Sequence, residues 1–316
     1  RQQMVQRDLG ASIGLAALGG GKMPIPASLP PSPAVQGPAD PKLSFLSLGE
    51  RAEVRATSNH TRRTTSTQQP DRPHLSPLPG EATATSTDAP AGASWRLEDY
   101  PRPPSDTGRG FHWIPTLRTE PAVVDRFVRE AKAMGASWMV ILNDGARIGD
   151  NDYLVRRLVE NGIEPVMRIY THRGAPITGD LTAMVRHYVA QGVRYFQPYN
   201  EPNLPEENPD GQVSVEGYLD RWIPAARAIL AGGGLPGLGA LAPAAPVDDV
   251  DFLRKTLQEI RARGATDLLD RAWISMHNYT FNRPIDYQED SNGFLKFRWY
   301  DQVVRETLGR SLPIIG

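Results

Sequence analysis

The sequence predicts an α/β fold of the (β/α)8 TIM-barrel kind over residues 95–316, incomplete at about seven strands. Three observations predict it. Short apolar runs of strand length alternate with amphipathic stretches of helix length, which implies a parallel sheet. A glycine follows each of five helical stretches, at Gly135, Gly162, Gly192, Gly264 and Gly309, where a left-handed C-cap is wanted. Successive strands start roughly 25–40 residues apart, which suits a barrel of about 250 residues better than a doubly wound sheet.

The strands are read at Gly110–Pro115, Trp138–Asn143, Glu164–Tyr170, Val193–Asn200, Gly237–Ala242, Trp273–Asn278 and Leu312–Ile315. Between them the spacing predicts helices over Pro121–Met134, Asp152–Asn161, Leu181–Gln191, Tyr218–Leu230, Val250–Arg263 and Phe294–Leu308. In the first helix Val123, Phe127, Ala131 and Met134 recur at helical spacing, and Pro121 sits where a first-turn proline is tolerated. The chain reaches Gly316 on the seventh strand pattern, so an eighth strand and its helix are expected to lie in a longer protein.

Residues 1–94 differ in composition. Of six Trp, ten Tyr and eight Phe, only Phe45 precedes Trp95. The segment is rich in Pro, Ser, Thr, Ala and Gly and has no period, so it is expected to be a disordered linker or N-terminal extension. The net charge of −1 gives no reason to expect a nucleic-acid partner, and no apolar run is long enough to span a bilayer. Membrane contact is expected only through an anchor before Arg1. The chain holds no cysteine, which rules out disulfides and thiolate metal sites within it.

In such a barrel, function sits at the C-terminal ends of the strands. The fourth strand ends in Tyr199-Asn200-Glu201-Pro202-Asn203, a polar pair closing an apolar run. That pentapeptide resembles the Asn-Glu-Pro signature of the clan of retaining (β/α)8 glycoside hydrolases that includes cellulases, mannanases and β-xylosidases. The resemblance covers residues 108–316. It implies that Glu201 is the general acid/base, that Asn200 holds a sugar 2-hydroxyl, and that the nucleophile is a Glu at the end of the seventh strand. No Glu stands there up to Gly316, so the nucleophile is expected within about three residues beyond it; a chain that ended at Gly316 would be inactive. The mutual charge of the two carboxylates, with partial burial, is expected to keep Glu201 protonated.

Other strand ends supply candidate substrate contacts: His277 and Tyr279 after the sixth strand, Arg168 on the third, Asn143 closing the second, and Trp113 on the first. His277 is expected to hydrogen-bond the nucleophile and Arg168 to face a carboxylate, since an unpaired buried guanidinium is costly. Trp113 is read equally as a sugar-stacking ring or as core, and Asn143 as a sugar contact or a turn residue. Glu206, Glu207 and Asp210, in the loop after Glu201, are expected to be solvated. The resulting reading is a cofactor-free glycosidase acting on a polysaccharide or oligosaccharide, extracellular or cell-surface. Two alternatives stand beside it. One is a metal-dependent barrel enzyme of sugar-isomerase or amidohydrolase type, for which His112, His172, His277 and Asp144 lie at strand ends. The other is a non-catalytic carbohydrate-binding barrel.

Overall fold

A computed structural model describes residues 95–113 and 120–316; the expectations for residues 1–94 and for the end of the first strand lie outside the described residues. Seven parallel strands form one curled sheet in the order β1 to β7, with helices between them. The strands are β1 Gly110–His112, β2 Trp138–Asp144, β3 Glu164–Tyr170, β4 Tyr195–Pro198, β5 Leu235–Leu238, β6 Trp273–Ser275 and β7 Ile314–Ile315. The helices are α1 Pro121–Ala133, α2 Asp152–Glu160, α3 Leu181–Val189, α4 Val215–Ala231, α5 Asp249–Ala262 and α6 Phe297–Leu308. This is the TIM-barrel-like α/β architecture expected from the alternation.

Local chemistry explains the boundaries. Asp180, Ser214 and Asp248 each accept a backbone N–H from the first turn of α3, α4 and α5, offsetting donors the helix cannot satisfy itself. The Ser214 cap starts α4 three residues before the apolar periodicity becomes visible. At the other ends, all five helix-terminating glycines have positive φ. β5 stops at Leu238 because the chain beyond it turns toward β4: Ala240 O accepts from Glu201 N at 2.7 Å.

Strand alternation sorts the side chains into two layers. Met139, Ile141, Met167, Ile169, Phe196, Ile274 and Met276 face the helices and join the main core. Val166, Tyr195, Leu235 and Trp273 fill the inner side of the curl, with Trp138 and Val140 against them. Trp273 packs edge-on to Tyr195 at 5.7 Å, and its indole N–H is satisfied by Leu235 O at 3.0 Å. At the N-terminal end of the strands Arg194 pairs with the buried Glu164, bonding Oε1 from Nε at 3.0 Å and Oε2 from Nη2. Among the described residues no helix is long and apolar enough to cross a membrane.

Candidate active site

The register carries the inner layer upward toward the strand ends. Val166 pairs with Tyr195 and Arg168 with Gln197, so the row above the apolar plug is polar. Ser275 Oγ donates to Gln197 Oε1 at 2.8 Å and closes this row from β6. One step further out lie Glu201, beyond β4, and His277, beyond β6.

The backbone at the end of β4 is strained. Tyr199 has φ 64° and Glu201 φ 41°, both left-handed and neither a glycine. Each such residue costs roughly 1–3 kcal/mol and persists only when its surroundings hold it. Here the hold is visible. The Tyr199 ring is buried edge-on to Tyr218 with the Arg221 guanidinium over its face, and Glu201 N is tied to β5. Asn203 adds a staple: Nδ2 donates to Ala242 O and Val247 O, and Oδ1 accepts from Ala242 N. This backbone turns the Glu201 carboxyl back over the barrel.

That carboxyl is half-buried, at 20% side-chain exposure, against 17% for His277. Its Oε1 lies 2.8 Å from His277 Nδ1, and its Oε2 accepts from Asn200 Nδ2 at 3.3 Å. Burial pushes the Glu201 pKa up, but the His277 hydrogen bond and the charges of His277 and Arg168 outweigh burial and hold it below the ordinary value. Within the described residues the cationic and donor groups around Glu201 therefore favour its ionised form; the charge of a nucleophile at the end of the seventh strand is not part of this balance. The carboxylate that His277 bonds among the described residues is Glu201 itself.

Arg168 is inward-facing, beneath this pair, and makes no direct ion pair among the described residues. Burial lowers its pKa, while the charges of Glu207 and Glu201 oppose that effect. Tyr279 is 51% exposed, with its ring 6.1 Å from that of His277 and 6.0 Å from Phe281. His112, on β1, lies on the same inner side but is exposed at its edge; partial loss of solvent and then the charges of His277 and Arg168 lower its pKa. Glu207 is also drawn in. Its Oε1 accepts from Asn200 Nδ2 at 3.1 Å, and burial raises its pKa, so the reading of this loop acid as solvated is corrected.

Two candidates are not brought to the centre, and strand parity gives the reason. Trp138 and Val140 point inward, so Asn143 points outward, to the helices. It is fully buried, donates to Gly145 O and Arg147 O, and accepts from Asn151 Nδ2 at 2.9 Å. It is the turn residue of its two readings. Trp113 follows the inward His112 and is buried in the main core, edge-on to Phe127 at 5.9 Å. It is the core residue of its two readings. Asn143→Ala is therefore expected to lower unfolding free energy by about 1–3 kcal/mol through the unserved loop carbonyls, with KM unchanged. Chemical denaturation beside steady-state kinetics checks this; a raised KM with unchanged stability would return Asn143 to the substrate.

Among the described residues no three His, Asp or Glu side chains gather as metal ligands. The fold and this centre together define a TIM-barrel-like parallel α/β half-barrel with a carboxylate–imidazole–amide cluster at its strand ends. No family model matches the chain, and no curated protein matches it. Among solved structures it is similar to AbfB, a family 51 α-L-arabinofuranosidase from Bifidobacterium longum, with TM-score 0.43 and 16% identity over 67% of this chain and 55% of that one. A β-mannanase from Streptomyces thermolilacinus gives TM-score 0.39 and 18% identity over 65% of this chain and 66% of that one. A D-allulose 3-epimerase from Methylomonas sp. gives 0.38 and 11% over 65% and 70%. The chain spans about half the length of the arabinofuranosidase it matches.

Proposed function

We propose that the protein is a glycoside hydrolase that cleaves O-glycosidic bonds of an oligosaccharide or polysaccharide by retaining double displacement, with Glu201 as acid/base. The observation that carries this reading is the position of Asn200 and Glu201: directly beyond β4, on strained backbone, with the carboxyl half-buried and held by His277 from the β6 end. Pre-organised groups at strand ends are what barrel catalysis uses. The Asn-Glu-Pro signature supports the same assignment.

In the first step Glu201 gives its proton to the leaving oxygen while an ionised carboxylate attacks the anomeric carbon. In the second, Glu201 takes a proton from water, which attacks the same carbon and releases the sugar. The attacking carboxylate is the one expected at the end of β7. Glu207 is not given that role: it follows Glu201 in the same loop after β4, whereas the resemblance implies a nucleophile after the seventh strand. A second negative charge across the sugar, and a sugar ring that displaces water, both raise the Glu201 pKa above the value set by His277 and Arg168. Arg168 then balances the charge of the pair. Tyr279 and Phe281, exposed beside His277, offer ring faces to the sugar.

The test is the stereochemistry of hydrolysis by the full-length protein on a panel of aryl glycosides, followed by proton NMR. The first-formed sugar is expected to keep its anomeric configuration. An inverted product overturns the double displacement. Activity lost to chelators, with stoichiometric bound metal, favours the metal-dependent alternative.

A further inference from the structure

The loop after β4 holds a second acid that the scheme above does not use. Glu207 ends the short 3-10 turn Pro205–Glu207, yet it is anything but loose. Its neighbour Asn208 is buried, donates to Pro202 O and Leu204 O, and accepts from Arg221 Nη2 at 2.9 Å. From the other side, the loop after β3 closes directly onto the Glu207 carbonyl. It does so at Gly174, with φ +61°, where a Cβ would collide with that oxygen. Backbone clamped from two sides delivers the Glu207 side chain to Asn200.

Asn200 Nδ2 carries two hydrogens and serves two carboxylates, Glu207 Oε1 at 3.1 Å and Glu201 Oε2 at 3.3 Å. The other edge of the same amide is different. Asn200 is 8% exposed, and its Oδ1 is buried with no partner. A buried acceptor left unserved costs about 1–3 kcal/mol, so something must keep the amide from turning over. Turned over, Oδ1 would face two carboxylates. The contact to Glu201 alone is long; the contact to Glu207 is the shorter of the two.

We propose that Glu207 is a positioning residue of the reaction centre, fixing the Asn200 amide with its N–H edge on Glu201 and its buried carbonyl edge turned away from both carboxylates. This rests on the glycosidase reading. It has an electrostatic corollary. Facing Glu207 are Asn200 and Glu201 from the β4 end, Arg168 from β3 and His277 from the β6 end. Tyr170, Tyr279 and His112 add to the same field through Arg168 and His277. Burial, with the charge of Glu201, pushes the Glu207 carboxyl up, against its Asn200 hydrogen bond and Arg168. Once ionised, Glu207 is a negative charge beside Glu201 and favours the protonated acid that the first step needs.

The sign follows. Glu207→Gln keeps an acceptor for Asn200 and loses the charge, so Glu201 gives up its proton more easily. The alkaline limb of kcat/KM, which reports loss of the protonated acid, is expected to move to lower pH, with kcat at the new optimum near that of the parent. Glu207→Ala loses the acceptor as well, and kcat is expected to fall roughly 10- to 100-fold on top of the same shift. The measurement is a pH profile of the full-length protein on the phenyl glycoside it hydrolyses fastest, with thermal unfolding alongside. A merely structural role would lower the melting temperature and leave the limb in place. An unmoved limb in Glu207→Gln, with Glu201→Gln strongly impaired, overturns the role of Glu207 alone. Near-parental activity in Glu201→Gln overturns the glycosidase reading and this inference together. Glu207→Ala turning over like the parent also overturns the positioning role.

Discussion

Glu201→Gln is expected to leave the fold intact and to cut turnover on an unactivated glycoside by about 10²–10⁴-fold, the usual worth of general acid catalysis. Gln matches Glu in shape and keeps an oxygen for His277 Nδ1, now 2.8 Å from Glu201 Oε1, but it has no proton to give an alkoxide leaving group. The loss should depend on the leaving group. An aryl glycoside with a stable phenolate needs little protonation, so its first step should suffer less. The second step still lacks its base, so a glycosyl-enzyme should accumulate and show as a burst. Azide needs no base; adding it should restore turnover and give a glycosyl azide of retained configuration. Near-parental rates on natural glycans would remove Glu201 from the chemistry. An inverted azide product would instead deny that the second carboxylate is a nucleophile.

Lys296→Met is expected to cost about 3–5 kcal/mol of stability, far more than a surface ion pair. Lys296 and Asp249 are 0% and 1% exposed, and Lys296 Nζ bonds Asp249 Oδ2 directly. Tyr300 OH donates to the same oxygen at 2.7 Å, and burial with the Asp249 charge raises its pKa well above the ordinary value. The cluster joins the first turn of α5 to the residue that opens α6, and so anchors the far end of the loop that carries His277 and Tyr279. Removing the ammonium alone strands a carboxylate in the core. Lys296→Met/Asp249→Leu/Tyr300→Phe removes every polar group at once and is expected to recover most of the loss. Urea denaturation of the single and triple variants decides this. A single-variant cost below about 1 kcal/mol would mean the pair is not desolvated in solution.

Long regular elements were the most legible part of the chain. β3 occupies the predicted Glu164–Tyr170, and α1 to α3 start at their predicted residues, because amphipathic period and glycine caps are local signals. Asn200 and Glu201 could be found because a polar pair closing an apolar strand conflicts with its surroundings. Asn143 and Trp113 stay open in the sequence, and strand parity resolves both. With Val140 and His112 paired in register on the inner face, the next strand residue or its odd neighbour must face the helices. Glu207 was beyond such reasoning. Its burial depends on Gly174, more than thirty residues earlier, closing over it, and on Asn208 being held by Arg221 of α4. No local pattern encodes either contact.

Every non-glycine residue with positive φ among the described residues, namely Arg173, Tyr199, Glu201, Ala244, Phe281 and Asn282, follows one of the strands β3 to β6 at its C-terminal end. For anyone engineering this scaffold the two ends of the sheet are therefore unequal. A search for heat-resistant variants would be drawn to these positions, since glycine relieves a left-handed backbone at once. At Glu201 that relief deletes the proposed acid, and at Tyr199 it removes the ring that braces the turn beneath it. Selection for endurance and selection for turnover would pull against each other on this rim. At the opposite end, where Arg194 and Glu164 close the strands, the two could be improved independently.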